Sequence, residues 1–293
     1  MTSDVAYMKI IKSVAGMQSL SMQKRTEGKR IALVPTMGFF HAGHISLMTY
    51  ARKRCDLLVV SIFVNPMQFG PSEDLERYPR DLKRDRVMAG KAGVDVLFCP
   101  SAQDMYPRGF QTHVEVEQLT QPLCGRRRPG HFRGVTTVVT KLFNIIQPHE
   151  AVFGLKDYQQ WLAIRRMASD LNMAVKVTGR PIVREKDGLA MSSRNTCLSP
   201  AERKAALNLQ QAISVAKDLV RKGEKGPERI KKAIKELITS YNSAKIEIEY
   251  ISFCRPETLD ERDIIKDKTL LAIAARVGKT RLIDNCLLST GGK

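Results

Sequence analysis

A chain of 293 residues that is 43% hydrophobic and 27% charged has globular composition, with length for one large domain or two moderate ones. Its longest strongly apolar run, 57–64, falls far short of the ~20 residues that cross a bilayer. The net charge of +18 invites polyanions, but the positive residues are dispersed and do not alternate with aromatics, which make up only 6% of the chain. Nucleic-acid binding is therefore set aside as the lesser reading, and clusters such as Arg52-Lys53-Arg54 and Arg126-Arg127-Arg128 are read as solvated surface. The first thirteen residues lack the charged start and apolar core of an export signal. The six cysteines are scattered without CxxC spacing, which argues against a zinc site or a disulfide scaffold and for a cytoplasmic protein.

Taken in chain order, the first half alternates buried strands with amphipathic helices. Residues 31–35 predict a strand, 44–55 a helix carrying Leu47, Ala51 and Cys55 on one face, and 57–64 a second, continuous apolar strand. A helix over 81–93 and a strand over 94–100 follow. Then come a helix over 133–148, a strand over 151–154, a helix over 158–171 and a strand over 174–183. This order implies an α/β domain: a Rossmann-like, doubly wound parallel sheet with helices on both faces. The character changes after about residue 185. Ser199-Pro200 introduces a long helix to 223, a second helix covers 227–243, and three short strands are expected at 245–254, 269–278 and 280–288. Residues 1–185 are thus expected to form the larger domain and 186–293 a smaller α+β domain.

The richest segment is Val34 to His44, where a strand runs through a glycine turn into a helix that His44 opens. Such a turn lies at the carboxyl end of a strand, where ligands bind in parallel folds. A helix start offers free N–H groups and partial positive charge to phosphate. His41 and His44 can aim at one anion and donate to charge developing on a phosphorus. No third histidine or cysteine is near enough to complete a zinc set, and no GxxxxGK[ST] motif is present. Downstream, Met191-Ser192-Ser193-Arg194-Asn195 supplies two hydroxyls and a guanidinium on a loop that looks mobile. Together the two motifs resemble the His-x-Gly-His nucleotidylyltransferases and class I aminoacyl-tRNA synthetases.

Four longer blocks narrow this further: 34–48, 61–82, 128–148 with 153–160, and 182–195. In this order, and with the tail from Tyr250 to Asn285, they resemble the pantothenate synthetase (pantoate–β-alanine ligase) family over nearly the whole chain. The resemblance implies that ATP and pantoate give pantoyl-adenylate and pyrophosphate, and that β-alanine then displaces AMP to give pantothenate. It assigns His41, His44 and Lys156 to catalysis. Met37, Gly154, Asp157, Val183, Met191, Ser192, Ser193 and Arg194 are assigned to ATP, and Gln68, Gln160, Asn65 and Tyr78 to the small substrates. Mg²⁺ is expected with ATP, with Asp85 as its protein contact. The domain of residues 1–185 would bind ATP and pantoate, and residues 186–293 would carry the phosphate-contacting loop and close over the site. A homodimer is expected, with no membrane association. Arg128, His131 and Arg133 lie in a block able to cover the site and receive no catalytic role. Three departures stand out: Leu155 replaces Glu or Gln, Ala42 replaces an acidic residue, and Phe39-Phe40 replace smaller apolar residues.

Overall fold

A computed structural model describes residues 8–71, 73–240 and 244–290. In chain order its elements are β1 (Lys9–Ile11), α1 (Val14–Thr26), β2 (Ile31–Thr36), α2 (Ala42–Arg52), β3 (Leu57–Ile62), α3 (Leu82–Lys91) and β4 (Val96–Phe98). They continue with α4 (Ala102–Met105), α5 (Cys124–Arg127), α6 (His131–Ile146), β5 (Glu150–Gly154), α7 (Tyr158–Asp170) and β6 (Lys176–Arg180). The last are α8 (Pro200–Arg221), α9 (Pro227–Thr239), β7 (Ile246–Cys254), β8 (Lys268–Val277) and β9 (Thr280–Ser289). The chain divides into two compact units, one of Met1–Thr120, Arg128–Leu155 and Gln160–Pro181, the other of Gln121–Arg127, Lys156–Gln159 and Ile182–Lys293.

In the first unit six strands pair in the order β1-β4-β3-β2-β5-β6, every pair parallel. Strand residues alternate between two cores because successive side chains point to opposite faces. Ile31, Leu33, Leu57, Val59, Ala151 and Phe153 pack with Met17 of α1, Val139 and Leu142 of α6 and Met167 of α7. Ala32, Val34, Leu58, Val60 and Val152 pack with Leu47, Met48 and Ala51 of α2 and Ala89 of α3. Burial on both faces is why these strands read as unbroken apolar runs rather than alternating ones. The expected doubly wound parallel sheet is therefore present. From β2 the chain winds one way through β3 to β4, and from β5 the other way to β6, so the order reverses between β2 and β5. Such a reversal opens a crevice at the carboxyl ends of the two strands, here Thr36 and Gly154.

The second unit is the expected smaller α+β fold: an antiparallel sheet β7-β8-β9 with two helices. Ala212, Ile213 and Ala216 of α8 and Ile230 and Ile234 of α9 pack with Ile251, Phe253, Leu271 and Ile273.

The boundaries differ from expectation in instructive ways. Helix α2 begins at Ala42, not His44, because His41 is its N-cap. Helix α6 starts at His131, two residues early, and its β-branched residues stay helical because twelve of its sixteen residues are buried. The strand expected over 174–183 ends at Arg180. Elements β1, α1, α4 and α5 were not expected. Helix α1 buries only Met17 and Ser21, too little to leave an apolar period, and the other three are three or four residues long. Positions 241–243 of the helix expected over 227–243, residues 1–7 and Ser72 lie outside the described residues.

At the other end of the sheet, His149 ties three strands together. Its backbone N–H donates to Ile31 O at 2.8 Å, its carbonyl accepts from Lys176 N at 3.0 Å, and its Nδ1 accepts from Ile31 N at 3.0 Å. Burial, then Arg25 and Arg30, hold its pKa below the ordinary value. The folded chain therefore resists a proton that the unfolded chain accepts below about pH 6.5. This contribution is present above that pH and is lost as pH falls through it. His149→Asn keeps an acceptor near the Nδ1 position without titrating. Urea midpoints between pH 5 and 8 are expected to rise less steeply with pH in this variant than in the native chain. An unchanged slope would remove His149 from the account.

Candidate active site

The turn after β2 is built on left-handed backbone. Gly38 has φ 83° and Phe39 φ 51°, a region that only glycine enters without cost. Two residues on, His41 caps α2: its Nδ1 accepts from Gly43 N at 3.1 Å. His44, in the first turn, accepts at its own Nδ1 from His41 N at 3.4 Å. The two rings stack with centroids 4.1 Å apart, and Phe40 backs His44 at 5.5 Å. A ring nitrogen that accepts a hydrogen bond carries no proton, so each neutral imidazole bears its proton on Nε2. The capping bonds thus set both tautomers, with Nε2 as the protonated nitrogen of each ring, at a helix N-terminus beside the sheet's reversal point.

The turn is tied down from α3. Asp85 is 1% exposed, and its carboxylate accepts from Phe39 N and Phe40 N, each at 2.6 Å. Burial raises its pKa against the opposing pull of these two bonds. These bonds bear on the expectation that Asp85 contacts Mg²⁺: each oxygen already serves the turn, and the group has almost no surface. Among the described residues there is no group of three or more His, Cys, Asp or Glu that could hold a metal ion.

A second frame holds Gln68, the last residue of a short 3₁₀ turn Pro66–Gln68. Its side-chain Nε2 donates to Met37 Sδ at 3.1 Å, linking it to the histidine turn. Asn65 was expected on the substrate side, but its amide is saturated within the protein. Oδ1 accepts from Tyr106 Oη at 2.8 Å and Met67 N at 3.3 Å, while Nδ2 donates to Gly134 O at 3.0 Å and Gln68 Oε1 at 3.2 Å. Asn65 is 1% exposed and is joined to Gln68 by the Nδ2–Oε1 bond. The Gln68 carbonyl is held in turn. His131 Nδ1 lies 2.8 Å from it and must donate, since a carbonyl cannot; the Nε2 of the same ring then accepts from Arg128 at 3.1 Å. Arg128 also donates to Gln68 O at 3.2 Å and grips Glu73 through two bonds of 2.5 and 2.6 Å. That partner keeps the Glu73 pKa below the ordinary value although burial opposes it. Tyr78 is 6% exposed with Phe69 edge-on at 6.0 Å, and Gln160 lies half-buried near the start of α7.

In the second unit Lys156 and Asp157 sit in the 3₁₀ turn Leu155–Asp157 that continues β5. Lys156 is half-buried, and its carbonyl accepts from Asn285 Nδ2 of β9 at 2.9 Å. Gln159 pins the neighbouring segment by bonding Cys124 N at 3.1 Å and Pro122 O at 2.8 Å. The loop 191–195 looked mobile in sequence; the segment that carries it, 183–195, makes many hydrogen bonds and ion pairs. Met191 N donates to Val183 O at 3.0 Å, and Arg184 makes a two-pronged pair with Asp284 at 2.7 and 2.9 Å. Arg203 joins Glu185 at 2.7 Å and Asp187 at 2.6 Å, while Asn195 Nδ2 donates to Glu185 Oε1 at 2.6 Å. Ser192 caps the 3₁₀ turn Ser193–Cys197 by accepting from Arg194 N at 3.3 Å, with Ser193 7% exposed. Ser192, Ser193 and Arg194 therefore lie in a capped 3₁₀ turn that follows this bonded segment.

Comparison with known proteins decides the family. The model described as pantoate-beta-alanine ligase matches residues 9–287. The chain belongs to the pantoate–β-alanine ligase family. A pantothenate synthetase of Geotalea uraniireducens is 57% identical over 281 residues, covering 96% of this chain and 99% of that protein. One from Acetivibrio thermocellus is 50% identical with the same coverage. The crystal structure of the Thermus thermophilus enzyme superimposes with a TM-score of 0.91 at 43% identity, covering 96% of this chain and all of that one. The Francisella tularensis ligase, crystallised with beta-gamma ATP and beta-alanine, gives a TM-score of 0.80 at 32% identity, covering 96% and 98%.

Within the first unit the family's expected residues Met37, His41, His44 and Gln68 come together around one turn, with Asn65 behind them. Lys156, Val183, Met191, Ser192, Ser193 and Arg194 belong to the second unit. Glu73, Tyr106 and Gly134 escaped sequence reasoning because nothing local marks them. Arg128 and His131 lay inside a family block but had no assigned task; their shared hold on the Gln68 carbonyl supplies one. No helix of the described residues is long and apolar enough to cross a membrane.

Proposed function

We propose that this chain condenses pantoate with β-alanine at the expense of ATP, releasing AMP and pyrophosphate through a pantoyl-adenylate. The observation that carries this reading is the pair of Nε2–H donors that capping bonds fix at the N-terminus of α2, beside the reversal point of the sheet. Family membership supports it, as does the related Francisella ligase crystallised with beta-gamma ATP and beta-alanine.

A carboxylate is a poor acyl donor because oxide would have to leave. In the first step a pantoate carboxylate oxygen attacks the α-phosphorus of ATP and pyrophosphate departs. His41 and His44 donate to the phosphate oxygens as charge builds, which favours the transition state over bound ATP only because the donors are already in place. Lys156, Ser192, Ser193 and Arg194 hold the phosphates; Gly154 and Asp157 bind the ribose, the Val183 backbone the adenine, and Met37 and Met191 complete the ATP contacts. In the second step the amine of β-alanine attacks the acyl carbon and AMP leaves. Gln68 and Gln160 orient pantoate by its carboxylate and hydroxyls, with Tyr78 on the same side. Uncharged amides suit this task, since an arginine would blunt the nucleophile. Mg²⁺ enters as the counter-ion of ATP, held by its phosphates and water. Residues 1–185 bind ATP and pantoate in this reading, and residues 186–293 carry the phosphate-contacting loop. The protein works in the cytoplasm as a homodimer.

Purified protein with ATP and Mg²⁺ is expected to release pyrophosphate when pantoate is added and to form AMP and pantothenate once β-alanine is added. Pyrophosphate release independent of pantoate would overturn the substrate assignment and point to another acceptor. No turnover from a folded sample would turn attention to Leu155 and Ala42, the positions that depart from the family.

A further inference from the structure

We propose that Asp85 is a positioning residue for the catalytic histidines, acting through the backbone of Phe39 and Phe40 and not through a metal. The inference rests on the reading of His41 and His44 given above. Two consecutive residues of the turn, Gly38 and Phe39, occupy left-handed conformations, and for Phe39 this costs on the order of 1–2 kcal/mol. The turn therefore does not hold itself. Its Phe39 and Phe40 N–H groups converge on one carboxylate, both at 2.6 Å, from a residue 46 and 45 positions away. Adjacent N–H groups of this kind form a natural anion cradle. Here Asp85 fills it, which keeps those donors from a substrate phosphate and leaves anion recognition to the histidines and the helix terminus beyond.

The fit around the carboxylate is close. A Cβ on Gly38 would lie 3.0 Å from both Asp85 Oδ2 and Ile62 Cγ2, so a larger residue would have to push the carboxylate or the isoleucine aside. Arg84, on the same helix, stacks its guanidinium over the Phe39 ring at 5.0 Å. Phe40 leads directly into His41, whose extended backbone sets the N-cap and thereby both ring orientations. Release of Phe39 and Phe40 would let His41 leave the cap, and His44 would lose the backbone N–H that fixes its tautomer.

The test is Asp85→Asn, which must turn an amide N–H toward a backbone N–H. Three readings separate a turn clamp from a metal ligand. The rate constant for pantoate-dependent pyrophosphate release is expected to fall about 100-fold, the size of effect that a displacement near 1 Å produces. The KM for pantoate and the Mg²⁺ concentration for half-maximal rate should stay within about 3-fold, a margin far below that loss. The nitrogen-15 spectrum of the free enzyme should lose the Nδ1-acceptor signature at His41 and His44. A sharply raised Mg²⁺ requirement with unchanged histidine spectra would overturn the proposal. In the background of Phe39→Gly, where the left-handed turn is no longer strained, Asp85→Asn should cost less than alone; equal losses would count against the clamp. Should Asp85→Asn fail to fold, hydrogen exchange on the native protein decides: slow exchange at Phe39 and Phe40 is expected, and exchange at solvent rates would refute the bond. These spectroscopic arms do not depend on turnover, so failure of the ligase reading would appear in the native enzyme's assay alone.

Discussion

Replacing His41 with alanine is expected to lower pantoate-dependent pyrophosphate release by about 10²–10³-fold, the usual loss when one preorganised donor to developing charge is removed. Alanine also deletes the N-cap of α2, at about 1 kcal/mol. Asparagine separates the two roles. Its side-chain oxygen can accept from Gly43 N as Nδ1 does, but it presents no donor where Nε2–H stood. His41→Asn should therefore match the native urea midpoint and still lose about 10²–10³ in rate. Near-normal turnover in His41→Asn would show that the imidazole serves the fold alone. Lys156→Ala is expected to abolish adenylate formation; its turn is held through a backbone carbonyl that the substitution leaves in place.

The largest structural effect is expected at Gly134. Its position in α6 predicts a gain on replacement, since alanine is favoured over glycine in a helix interior by about 1 kcal/mol. The packing overrides this. A Cβ there would lie 2.2 Å from the Met67 carbonyl oxygen, 2.5 Å from its carbon and 2.7 Å from Gln68 N, and backbone atoms cannot swing aside as a side-chain tip can. Overpacking typically costs about 1–3 kcal/mol, and the upper end applies where only backbone can give, so the net effect of Gly134→Ala is a loss of about 2 kcal/mol. The overlap falls on the turn that carries Gln68, so the KM for pantoate should rise together with the fall in thermal midpoint. A stabilised variant with native KM would mean that the turn is free to move away.

Most of the architecture could be read in advance because its causes are local. Strands β2 and β3 appear as unbroken apolar runs, and α8 announces itself with Ser199-Pro200 and a capping box closed by Glu202. The candidate site could be proposed for a different reason: histidines three apart, just after a glycine at a strand-to-helix turn, gain meaning from the strand before and the helix after them. Elements too short or too evenly polar to show a period, such as β1 and α1, went unread. The bonds that tie down the segment leading into 191–195 went unread for a related reason. Serine and glycine content suggests mobility, whereas the bracing comes from Asp284 and Arg203, whose pairings composition does not display.

By itself, then, the sequence determined the β-α order, the parallel sheet, the smaller α+β unit and the family, because spacing, period and residue type act over a few positions. Only the tertiary structure decided what each polar group is bonded to. Asp85 meets Phe39 across 46 residues, Arg128 meets Glu73 across 55, His131 meets Gln68 across 63 and Asn65 meets Gly134 across 69. A carboxylate reads the same in sequence whether it holds a metal or a turn. What separates the two is burial and the direction of its lone pairs, and both are set by packing between segments distant in the chain.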